Sequence, residues 1–189
     1  MTQTIKSAQI VYEGRHEVLL ATVVDAQGDA FRREIVVRGD AACVLPYDPA
    51  RRVALMVRLP RTPAQFIAGL ANVLEAPAGV IEEGEAAETC IRREAMEEAG
   101  VRLTALEAVA TAFASPGYST ERLHLFLAPY TAADRTAHGG GVAGEHEDIE
   151  VLEMRLAELW SWAEHGVIQD LKTLTLVLAL KTRQPDLFA

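Results

Sequence analysis

The segment Arg92–Gly100 reads RREAMEEAG and sets three glutamates, Glu94, Glu97 and Glu98, within five positions. Helical neighbours lie three and four residues apart, so on a helix Glu94 faces both Glu97 and Glu98. Each such like-charge pair costs a helix roughly 0.2–0.5 kcal/mol. A solvated acidic surface is the plain reading, and three features argue for chemistry instead. The glutamates cluster on one side and do not alternate with lysine; Arg93 can reach back to a carboxylate one or two turns away; and the preceding loop, PAGVIEEGE, can bring backbone carbonyls beside the carboxylates. Hard divalent cations such as Mg²⁺ take oxygen ligands and keep some waters and substrate phosphates. A carboxylate cluster becomes favourable when such an ion neutralises it.

The elements that must position these residues follow from periodicity and punctuation. Ala86–Ala99 is rich in Ala, Glu and Arg and reads as a helix, with Gly100 placed to stop it. Upstream, HEVLLATVVDAQGDAFRREIVVRG holds two apolar, β-branched runs around a Gly-Asp turn signal, which predicts a hairpin. AACVLPYD, RRVALMVRLP, LEAVATAFAS, RLHLFLAPY and IEVLEMRL read as further strands, and LAELWSWAEHG and DLKTLTLVLALKTR as closing helices. This order predicts an α/β fold, a mixed sheet covered by helices, with a β-rich N-terminal extension. The expected division is a β segment over 1–40 and the main domain over 41–189.

Composition narrows the partners. The chain of 189 residues carries 18 Lys and Arg against 27 Asp and Glu, a net charge of −9. Such a balance argues against nucleic acid as a partner, which needs a basic surface. The N-terminus lacks an apolar leader core, and the late apolar run LTLVLAL is too short to span a bilayer. Cys43 and Cys90 form no metal motif and read as reduced structural thiols. No membrane partner and a cytoplasmic location are expected.

The spacing in GVIEEGEAAETCIRREAMEEAGV, from Gly79 to Val101, resembles the box of the Nudix hydrolase family, G-x5-E-x7-R-E-U-x-E-E-x-G-U. Every polar and glycine position matches; Ala95 stands where the family prefers a bulkier aliphatic residue. The resemblance implies a mixed β-sheet sandwiched between helices and hydrolysis of a nucleoside diphosphate linked to another moiety, with Mg²⁺ or Mn²⁺ as cofactor. It makes Glu94 and Glu98 metal ligands, adds Glu97 to the metal shell, and has Ala78 offer its backbone carbonyl beside Gly79. Arg93 and Glu85 pair to orient the site, a role compatible with a structural salt bridge. Glu82 and Glu83 read as solvated loop charges.

Motifs outside the box resemble the nucleotide-sugar branch of the family. SPGYSTE places Pro116 and Gly117 as substrate-side residues, with an ordinary Pro-Gly turn as the alternative. GGGVAGEHEDIEVLE implies a mobile loop that ends in catalytic acids: Glu145 as base, Glu147 as a further metal ligand, and Glu150 as the alternative for either. VALMVRLPR implies that Arg58 and Arg61 hold phosphate or base, and Arg33 or Arg38 can reach a substrate in the same or a partner subunit. The N-terminal β segment of this branch commonly builds a homodimer. Over most of the chain the resemblance is to the group hydrolysing GDP-mannose-type nucleoside diphosphate sugars, with ADP-ribose hydrolysis as the alternative. A binding-only Nudix-like sensor is the remaining reading; such proteins usually lack catalytic glutamates, and this chain has the full set.

Overall fold

The computed structural model describes residues 2–142 and 148–189. Its contacts cluster into two compact units, residues 1–40 with 111–123 and residues 41–110 with 124–189. Residues 111–123 thus join the N-terminal β segment, which a division at residue 40 does not foresee.

The first unit contains an antiparallel sheet in the order β1 (Thr4–Glu13), β2 (Glu17–Val24), β3 (Ala30–Val37). The expected hairpin is β2–β3, in register from Glu17 opposite Val37 to Val24 opposite Ala30. Its turn is closed by Asp25, whose carboxylate accepts the amides of Gln27 and Asp29, and by Gly28 at φ +92°. The SPGYSTE segment lies along β3, where the Val36 amide donates to the Tyr118 carbonyl and the Thr120 amide to the Val36 carbonyl.

A mixed sheet, in the second unit except for residues 111–113 and 122–123, runs β10 (Glu150–Arg155), β5 (Val53–Leu59), β4 (Ala41–Asp48), β9 (Arg122–Pro129), β8 (Glu107–Phe113). Two short strands extend it: β6 (Val73–Glu75) on β5 and β7 (Ala78–Val80) on β4. All eight residues of β4 are buried, the pattern of a strand covered on both faces. Ala42 and Val44 pack against Cys90, Ile91, Ala95 and Ala99 of α2 (Ala87–Ala99). The alternate residue Tyr47 receives a hydrogen bond from Gln184, the C-cap of α4 (Leu171–Arg183). Successive side chains on a strand point to opposite faces, so α2 and α4 cover opposite sides of the sheet. α3 (Leu156–Glu164) follows β10 directly and packs on α4. A short helix absent from the sequence reading, α1 (Thr62–Ala68), has Pro63 in its first turn and Gly69 as a left-handed cap. It buries none of its residues, which is why no amphipathic pattern announced it.

Candidate active site

α2 forms because its interior holds strong helix formers, and Ala87, Ile91, Ala95 and Ala99 recur every four residues to make one apolar stripe. Ala95 is fully buried, so the small residue there lets α2 sit close on the sheet. Gly100 ends the helix at φ +67°, a region open to glycine at little cost.

The turn before α2 and the strand β7 place the remaining groups. The Glu85 amide donates to the Glu82 carbonyl, and the Glu82 amide to the Glu85 carboxylate. Arg93 then gathers three carboxylates. Its Nη2 lies 3.3 Å from Glu85 Oε2, and its Nη1 lies 2.7 Å from Glu94 Oε1 and 3.1 Å from Glu97 Oε2. The hydrogen bond from Arg93 holds the Glu85 carboxyl below the usual glutamate range, and its acidic partners raise the Arg93 pKa. Glu98 is buried, and its carboxylate accepts the Ala78 amide at 2.9 Å. Gly79 lies under Glu94, and any Cβ there would fall within the Glu94 carboxylate. Burial pushes the Cys90 thiol up to about 12 and the Cys43 thiol higher still, so both are inert packing groups.

Ala78, Glu85, Arg93, Glu94, Glu97 and Glu98 therefore come together along α2, the turn before it and the adjoining β7. Glu82 and Glu83 are exposed. The donor set fits a hard cation, being oxygen only. Among the described residues no three His, Cys, Asp or Glu side chains converge on one ready-made metal point; the carboxylates gather around the Arg93 guanidinium.

The arginines assigned from sequence are engaged in ion pairs or stacking. Arg58 Nη1 donates to Glu150 Oε2 at 3.1 Å, joining two of the candidates on paired strands β5 and β10. Arg61 makes a bidentate pair with Glu75, at 2.7 and 2.8 Å. In the first unit, Arg33 stacks over the Phe31 ring at 4.4 Å, and Arg38 pairs with Glu121 at 3.2 Å. Pro116 and Gly117 also belong to that unit, inside a turn closed by the Ser119 amide on the Ser115 carbonyl. Glu145 and Glu147 lie outside the described residues.

A charge network around the buried Glu75 escaped the sequence reading. Glu75, beyond its pair with Arg61, binds Lys172, and Lys172 binds Asp170 at 2.9 Å. Burial opposes the charge on Glu75, but the hydrogen bonds from Arg61 and the charge of Lys172 outweigh it and hold its pKa below normal. Burial likewise opposes the charge on Lys172, and Glu75 and Asp170 reverse that effect. The available signal was a lone acid in the apolar run VLEAPAG, since a buried charge needs a partner.

Gly139, Gly140 and Gly141 take a place that the sequence does not announce. Their φ angles are +74°, +106° and +83°, and their backbone lies against the end of α2. At Gly139 glycine serves close approach, since a Cβ would fall 2.4 Å from the Glu98 carbonyl oxygen.

An acid-lined loop and helix joined to a helix-covered mixed sheet define a Nudix hydrolase, and the chain belongs to that family: the NUDIX domain matches residues 37–174. Among relatives, a GDP-mannose pyrophosphatase of Cronobacter sakazakii is 42% identical over 154 residues, covering 80% of this chain and 78% of that protein. An ADP-ribose pyrophosphatase of Escherichia coli strain K12 is 39% identical over 140 residues, covering 74% of this chain and 66% of that protein. A crystal structure of an ADP compounds hydrolase shares the fold, with a TM-score of 0.80 at 17% identity over 98% of this chain and 96% of that one. The chain is accordingly a hydrolase of pyrophosphate bonds.

Proposed function

We propose that this chain hydrolyses the diphosphate of a GDP-mannose-type nucleoside diphosphate sugar to a nucleoside monophosphate and a sugar phosphate. The carrying observation is the convergence of Glu94, Glu97 and Glu98 with Arg93 and Ala78, supported by 42% identity to a GDP-mannose pyrophosphatase. The oxygen of water bonds to one phosphorus, the bond from that phosphorus to the bridging oxygen breaks, and a water proton passes to a carboxylate. Glu145 is the proposed base and Glu147 a further ligand, both on sequence resemblance alone; Glu150 and Glu97 are the alternatives. Glu94 and Glu98 would hold Mg²⁺ or Mn²⁺ with the Ala78 carbonyl, and Glu97 would complete the shell. When bound, the cation supplies positive charge opposite the diphosphate oxygens and acidifies water. Arg93 spaces the carboxylates, and Glu85 fixes Arg93. Arg58, Arg61, Arg33, Pro116 and Gly117 are proposed on the substrate side.

ADP-ribose is the second reading, favoured by 39% identity to ADP-ribose pyrophosphatases. We further propose a homodimer built on the N-terminal β segment, and a cytoplasmic setting, in keeping with two free cysteines. The test is phosphate chemistry on a panel of nucleotide sugars and ADP-ribose, with Mg²⁺ and with EDTA. GDP-mannose should turn over fastest, and only with metal. Glu98→Gln should lower kcat by about 10²-fold, or ~3 kcal/mol of transition-state stabilisation. Undiminished turnover in excess chelator, or by the Gln variant, would remove the metal assignment.

A further inference from the structure

We propose that Gly139–Gly141 form a positioning strap that fixes the C-terminal end of α2, and with it the places from which Glu97 and Glu98 present their carboxylates. An α-helix leaves its last carbonyls without partners inside the helix. Here the donors come from a distant part of the chain. The Gly140 amide donates to the Glu98 carbonyl at 2.8 Å, and the Gly141 amide to the Glu97 carbonyl at 3.0 Å. Just before them, the Thr136 and Ala137 amides donate to the Gly100 carbonyl at 3.0 and 3.2 Å. The Arg102 amide returns a bond to the Asp134 carbonyl at 2.9 Å, and Val101 bridges to Arg135.

Contact is close enough to demand glycine on both sides. A Cβ on Gly139 would overlap the Glu98 carbonyl and the Ala99 backbone, and one on Gly100 would overlap the Ala137 carbonyl. These obstacles are backbone atoms, which cannot swing aside as a flexible side chain can. Glu98 is consequently held twice: at its carbonyl by Gly140 and at its carboxylate by Ala78. Metal-ligand distances tolerate shifts of only about 0.2 Å, so a displaced helix end moves these ligands out of range. The strap acts through Glu97 and Glu98, and the inference rests on reading them as metal-holding residues.

The experiment measures Mn²⁺ binding to the purified protein by electron paramagnetic resonance and calorimetry, independent of turnover. Gly139→Ala should weaken Mn²⁺ binding by about tenfold or more, the scale of losing an outer support of a metal ligand. Saturating Mn²⁺ should restore much of its kcat. Gly166→Ala is the control: Gly166 has φ +68° with nothing near its Cβ, so it carries the left-handed strain without the contact. It should lose stability but bind Mn²⁺ like wild type. A folded Gly139→Ala with wild-type Mn²⁺ affinity overturns the strap, as does equal weakening in the Gly166 control. Should Gly139→Ala fail to fold, Gly140→Ala replaces it: a Cβ there meets only the Ile149 carbonyl at 3.7 Å, but at φ +106° it strains the very backbone whose amide holds the Glu98 carbonyl, which Gly166 does not. Weakened binding then supports the strap and unchanged binding overturns it. Glu98→Gln separates the two readings: if it binds Mn²⁺ as wild type does, the metal assignment fails and the strap falls with it.

Discussion

Arg93 shows how one cation organises three acids. Its guanidinium reaches Glu85, Glu94 and Glu97 at once, which offsets the like-charge cost along α2. Gly79 supplies the space: Glu94 folds over it where any other residue would carry a side chain. Gly79→Ala should therefore push the Glu94 carboxylate aside without disturbing the core. We expect kcat/KM to fall about 10–100-fold, or ~1.4–2.7 kcal/mol. The change in folding stability should stay within about 1 kcal/mol. Steady-state kinetics beside a urea melt checks both, and wild-type turnover would mean that Glu94 does not depend on this position.

At the level of elements, the end of β6 and the start of α4 are joined by ion pairs and hydrogen bonds. Asp170 caps α4 by accepting the Thr173 amide at 2.9 Å, and the Thr173 hydroxyl accepts the Ala76 amide at 2.7 Å. Glu75 closes the join through Arg61 and Lys172. Replacing Glu75 with Gln leaves the half-buried Lys172 beside Asp170 alone, and breaking a pair with one buried partner costs roughly 3 kcal/mol. The pH dependence follows from the depressed Glu75 pKa. Unfolded, this glutamate titrates near 4.5; folded, it titrates lower. Its stabilisation is complete above the unfolded value and is lost as pH falls through the folded one. Urea melts of wild type and Glu75→Gln should thus differ most near pH 7, and the gap should close below about pH 4.5. A gap that stays constant down to pH 3 would show that the carboxylate charge is not the source.

Over the whole molecule, the outstanding surface is β1. It is an edge strand exposed at all ten positions, with Ile5, Ile10, Val11 and Tyr12 each more than half exposed. An apolar edge invites pairing with another chain. The proposed dimer uses that surface, so the full chain should run as a dimer in light scattering coupled to gel filtration. Removing residues 1–40 should yield monomer or aggregate. A dimer that survives the truncation would place the interface elsewhere.

The box was legible in the sequence because it is local. Gly79 to Val101 spans the end of β7, one turn and one helix, and the reach of Arg93 to Glu97 is a helical i,i+4 contact that spacing alone dictates. The apolar, β-branched runs around a Gly-Asp turn likewise exposed the β2–β3 hairpin. Nothing local announces that Ala78 will meet the Glu98 carboxylate, which requires β7 to pair with β4 beneath the returning helix. Glu75 finds Arg61 across 14 residues and Lys172 across 97, and only strand pairing and helix docking bring those three together. Gly139 makes the same point. A sequence reports that glycine permits positive φ, whereas tertiary packing decides that this freedom serves a close backbone contact with α2.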